Sequence, residues 1–164
     1  MGHLRRPIGR PCAGVEVTDD RQLVLSRLIA AAPSVVWQCW TDPALIQRWF
    51  GPDSHTCITK EIDLTVGGVW RFDVIGPDGT VYPNRHRITR HVPVTCIEFL
   101  MDGDDDAQTP MRVVVTLVPE GQGTRISQSI TLPTAEAKQH ALGFGADRLG
   151  MQTMAKLAAI AEAL

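Results

Sequence analysis

Four polar side chains occupy positions where strand alternation calls for apolar ones: Lys60, Asn84, His86 and Gln128. A buried polar group without a partner costs about 1–3 kcal/mol, so each needs an explanation. One is a pocket in which they meet the polar end of a ligand. The other is a rim position, or a bulge that flips the register, for which the Pro83-containing strand from Thr80 to Val92 is the natural place. His86 is the histidine expected on the inward side. An ordinary imidazole, titrating near pH 6.5, could move a proton there. No carboxylate shares its face, so nothing would orient the ring. His55, His91 and His140 lie at no ligand spacing, and Cys12, Cys39, Cys57 and Cys96 form no CxxC pair. There is no nucleophile elbow, phosphate loop or dinucleotide fingerprint. No metal, cofactor or catalytic residue is therefore expected, and the chemistry points to binding.

The binding surface would be apolar. Trp40, Trp49, Phe50, Trp70, Phe72, Phe99 and Phe144 make a large aromatic set for a chain with only 5% aromatics. Met101, Met111, Met151 and Met154 would supply an adaptable lining, or fill an irregular core. The expected ligand-binding residues are Trp40, Trp49, Trp70, Phe72, His86, Phe99, Met111, Gln128, Phe144 and Met154, with Trp49-Phe50 at the mouth beside the Gly51-Pro52 break.

The elements that would hold these residues follow from periodicity. Leu23 to Ala30 reads as a first strand. Pro33 and Pro43 suit the first turns of two short helices, the second capped by Thr41 or Asp42. From Thr56 the apolar period is two, with turns at Gly67-Gly68, Pro77-Asp78-Gly79, Pro93 and Glu120 to Gly123. The inward rows begin Ile58, Lys60, Ile62 and continue through Trp70, Phe72, Val74 and Tyr82, Asn84, His86, Ile88. After Pro133 the period becomes helical to Leu164, with Gly143 and Gly145 as close-packing sites inside one long helix. Consecutive hairpins imply an antiparallel sheet with helices on one face. The expected architecture is α+β: a curved seven-stranded antiparallel sheet wrapped around a long C-terminal helix, with two short helices after strand 1.

Composition narrows the function classes. A net charge of −2 argues against a nucleic-acid partner, and no apolar run approaches the roughly 20 residues of a membrane span. Residues 1–20 read as a flexible leader without a secretory apolar core, and 21–164 as a single domain. Reduced thiols in a cytoplasmic protein are the simplest expectation. Arg85, Arg87 and Arg90 read as a solvated face, and Asp102 to Asp106 as a solvated acidic loop tip.

Arg27 to Pro33, Val36-Trp37, Thr41-Asp42-Pro43 and Trp49-Phe50-Gly51-Pro52 together resemble the opening of the activator-of-heat-shock-ATPase-homologue-like family, within the START-like (SRPBCC) superfamily. Gly67-Gly68, Pro93 and Gly123-Thr124-Arg125 also sit where that family has them. The resemblance covers about residues 22 to 164 and implies the helix-grip fold with a hydrophobic cavity between sheet and long helix. Two departures accompany it: Phe144 is the only aromatic where a Gly-Trp pair is usual, and Arg90 or His91 replaces a glutamate. The resemblance implies binding of a small hydrophobic or aromatic molecule. The alternatives are a chaperone-co-factor-like protein-interaction domain or a polyketide-cyclase-like enzyme, the latter weakened by the missing carboxylate. Dimers are common among relatives, so a homodimer is a further expectation.

Overall fold

The computed structural model describes residues 20–164. The expected leader, apart from its last residue, and Cys12 lie outside the described residues. The chain runs β1 (Gln22–Ile29), α1 (Pro33–Thr41), α2 (Pro43–Trp49), then β2 (Thr56–Ile62), β3 (Val69–Ile75), β4 (Val81–Val92), β5 (Cys96–Asp102), β6 (Met111–Glu120) and β7 (Gly123–Thr131). It closes with α3 (Ala135–Gly143) and α4 (Ala146–Ala163). One antiparallel sheet holds all seven strands in the order β1-β7-β6-β5-β4-β3-β2. Hairpins build β2 to β7 in sequence, while β1 closes against β7 over the full length from Gln22↔Thr131 to Ile29↔Thr124. The α+β helix-grip architecture is as the sequence leads one to expect.

Local signals act as anticipated at the short helices. Pro33 and Pro43 begin α1 and α2, and the Asp42 carboxylate accepts the Ala44 backbone N–H at 2.9 Å. The C-terminal segment differs from expectation. It is two helices, because Gly145 takes a left-handed conformation (φ +86) that ends one and starts the next. The close-packing glycine is instead Gly150, where an added Cβ would run into Leu25 Cδ1 of β1. Met154, Leu157, Ala158 and Ala161 form the buried stripe of α4, with the i, i+3, i+4, i+7 spacing of a single helix face.

Two bulges correct the expected inward rows. The first, between Thr59 and Glu61, gives Lys60 no register partner, so Cys57, Thr59 and Ile62 align with the inward Val74, Phe72 and Trp70. Ile58 is exposed, and Lys60 pairs with Asp73 at 3.3 Å on the outer face. The second bulge, between Ile88 and Arg90, puts His91 opposite Ile97 and its ring 5.2 Å from Trp37. His86 is thus not the sole inward histidine. Tyr82, expected inside, is 50% exposed near the strand end.

The acidic loop is not a free tip. Asp102, with its side chain only 1% exposed, takes Arg85 at 2.7 Å and Arg87 at 3.1 Å. Asp104 takes Arg71 at 2.8 Å, and Asp106 takes Arg85 at 2.8 Å. Arginines from β3 and β4 therefore tie the loop down on the outer face. Burial acts to raise the Asp102 pKa, but the Arg85 bonds, the Asp104 backbone N–H and the Arg87 charge outweigh it and hold the carboxyl below its usual range. Cys39 and Cys57 are free, whereas Cys96, expected as a reduced thiol, is disulfide-bonded. Among the described residues no helix is long and apolar enough to cross a membrane.

Candidate ligand-binding site

The register turns alternation into a wall. One row across the concave face reads Ile62, Trp70, His86, Met101, Met111, and the next reads Ile88, Phe99, Val113, Ile130, Leu23. Trp70, His86, Phe99 and Val113 are wholly buried, whereas Met101, Met111, Ile130 and Leu23 are only half-buried. Inward-facing apolar residues that keep contact with solvent form a lip around a sealed aromatic floor.

Phe50, at the C-cap of α2, is the hub of that floor. Its ring centroid lies 5.1 Å from both Trp70 and Phe72, 5.5 Å from His86, 5.3 Å from Trp49 and 6.1 Å from Trp40. Most of these pairs are edge-to-face, the geometry ring quadrupoles favour. His86 stacks on Phe99 with centroids 3.9 Å apart, and Trp70 stacks on Phe72 at 3.8 Å.

The polar atoms inside this floor are unevenly satisfied. Trp49 Nε1 donates to the Cys39 carbonyl and Trp70 Nε1 to Thr59 Oγ1, each at 3.0 Å. Trp40 Nε1 and His86 Nε2 are buried with no partner. Burial holds the His86 pKa down at about 3, against a small upward pull from Asp102, so the ring is neutral at physiological pH. A base that weak does not take protons efficiently near pH 7.

The chain's relatives bear on this geometry. The family model for Activator of Hsp90 ATPase homolog 1-like proteins matches residues 30–162. The chain belongs to that family. Among solved structures, protein Ms6760 from Mycobacterium smegmatis is similar at 28% identity with a TM-score of 0.79, over 88% of this chain and 92% of that one. A protein from Arthrobacter aurescens aligns at 22% identity and a TM-score of 0.81, over 93% of each chain. The AHSA1 protein of Silicibacter pomeroyi aligns at 23% identity and a TM-score of 0.69, over 84% of this chain and 95% of that one. No functionally curated protein matches the sequence.

In this family member the loop after α2 is held by α4. Lys156 Nζ donates to the carbonyls of Gly51, Pro52 and His55 at 3.0, 3.3 and 3.4 Å, and Gln152 Oε1 accepts the Asp53 N–H at 3.2 Å. Desolvation lowers the Lys156 pKa, and burial pushes the neighbouring Cys57 thiol up to about 12, so that thiol stays protonated. These contacts fix the chain immediately after Phe50.

Of the residues expected to bind, Trp40, Trp49, Trp70, Phe72, Phe99 and Met154 share one core cluster, and His86 packs its ring against Trp70, Phe72 and Phe99. Met111 stands on the lip, and Gln128 is half-buried two rows from Met111, opposite Val115. Phe144 is 57% exposed and touches His140 rather than the cluster. The break at Gly145 leaves it outside. Trp49, expected at the mouth, is buried, and Phe50 has the central place. Thr59 and Arg27 were not anticipated. Thr59 became inward through the Lys60 bulge, and Arg27 shares the inward parity of Leu25 and Ile29, with a buried, unpartnered Nε. A separate surface groove of about 510 Å³ lies at the other end of β1, between Leu28–Ala30, the β6–β7 turn and Glu162, and contains none of the expected residues.

Proposed function

We propose that this protein binds a small hydrophobic or aromatic molecule between the concave face of the sheet and the C-terminal helices. The observation that carries the reading is the lip of half-buried Met101, Met111 and Ile130 beside the buried rings of Trp70, Phe72, His86 and Phe99, with the half-buried Phe50 among them. Flexible thioethers at a rim adapt to varied apolar shapes, and pockets of this kind are apolar with few polar groups. A neutral His86 without an orienting carboxylate favours binding over a proton-transfer reaction.

Native mass spectrometry of the protein purified from cells tests the reading. The expected result is a small-molecule adduct that denaturation releases and that Met111→Trp, which fills the lip, diminishes. A wild-type protein that carries no adduct and takes up no added aromatic probe would sink it.

A further inference from the structure

The outer face of the sheet carries a buried patch of its own. Cys96 and Val114, 0% and 8% exposed, form a small cluster apart from the main core to which α1, α2 and α4 contribute. Thr116 and Ser129, on the same outer side, are 5% and 7% exposed. Register sets Ser129 beside Val114, and Thr116 beside Cys96 one outer row further along. Gln22 lies one outer row the other way, at the start of β1. Its amide reaches Ser129 Oγ at 2.8 Å, and its Oε1 is buried. The buried outward residues therefore follow one diagonal from Gln22 to Cys96. Off that line Val24 and Leu28 are 47% and 48% exposed. A wholly buried thiol on the outer side of a sheet needs a cover from beyond the sheet.

We infer that residues 12–19 cross this face as a strap along the diagonal, fastened by a Cys12–Cys96 disulfide that reduction opens. Of the four cysteines, Cys39 and Cys57 are free and Cys96 is disulfide-bonded, which leaves Cys12 as its partner within the chain. The described chain begins at Asp20, two residues before the diagonal starts. Three strand spacings across and four residues along put Gln22 about 20 Å from the Cys96 position. Ten residues from Cys12 to Gln22 span up to about 33 Å, so the strap reaches with slack. Closing the bond takes two protons and two electrons from the two thiols, and glutathione disulfide as oxidant accepts them and leaves as two thiols. Reduction frees the strap and uncovers Val114 and Thr116.

The test equilibrates the full chain with glutathione disulfide, quenches it in acid, denatures it without reductant and alkylates it. Cys39 and Cys57 are expected to take the label, and peptide mapping of the monomer to recover Cys12 joined to Cys96. Label on all four cysteines, Cys96 capped by glutathione, or Cys96 joined to a second copy of the chain overturns the inference. Two substitutions check the path. Ser129→Trp, on the diagonal, should slow closure by at least about tenfold, because an obstructed strap lowers the effective concentration of one thiol at the other. Leu28→Trp, off the diagonal, should leave the rate unchanged. Equal rates in the two variants overturn the strap, since a loose leader would find Cys96 by any route. The thiol count on wild type stands even if Ser129→Trp fails to fold.

Discussion

Replacing His86 with Leu should flatten the acid side of the stability curve. In the folded protein burial holds the imidazole at about 3, while in the unfolded chain it titrates near 6.5. Between those values the unfolded state binds one proton more than the folded state, so stability falls as pH drops, by about 1.4 kcal/mol per unit. From pH 7 to pH 5 the loss attributable to His86 is about 2 kcal/mol, which for a domain of this size is about 4–8 °C in Tm. The stability is fully present above the unfolded pKa and is lost as pH falls toward the folded one. Urea denaturation of wild type and His86→Leu at pH 7, 6 and 5 measures the difference in slope, and groups common to both proteins cancel. The slope carries the test, because the leucine both removes an unpartnered nitrogen and forfeits the 3.9 Å stack on Phe99. Parallel losses in the two proteins would refute the reasoning, since they would mean that His86 is solvated or charged in the folded state.

Asp102→Asn should destabilise by about 2–4 kcal/mol, toward the lower end of what breaking a buried ion pair costs because Arg87 is part-exposed. Its folded pKa is lowered, so the stability it contributes is present above the ordinary carboxylate range and lost below it. The variant should therefore lose part of the wild-type decline in urea midpoint below about pH 4. Gly150→Ala should cost about 1–3 kcal/mol, because the added methyl meets Leu25 on the first strand. Differential scanning calorimetry should show that loss, with far less at Gly143, where an added Cβ meets nothing.

Much of the architecture was legible because it is written in local patterns. Alternation from Thr56 onward specified strands, the proline and Asp42 signals specified the short helices, and glycine and proline clusters specified the hairpins. Burial of the strand aromatics Trp70, Phe72 and Phe99 was equally legible from their shared parity, whereas that of Trp49 and the exposure of Phe144 were not. Period alone could not locate bulges. One extra residue at Lys60 reversed the faces of Ile58 and Thr59, and another near Thr89 brought His91 inside.

Only tertiary structure decided which polar groups found partners. Trp40, Trp49 and Trp70 are the same residue type in similar apolar surroundings, yet Cys39 and Thr59 satisfy two of them and nothing satisfies the third. The acidic run looked like solvent-facing loop until β3 and β4 placed their arginines against it. The chain alone dictated the strands, the short helices and the greasy interior, because those depend on neighbours a few residues apart. The hub at Phe50 and the two lone nitrogens depend on residues dozens of positions apart meeting across a curved sheet, a geometry that no local spacing encodes.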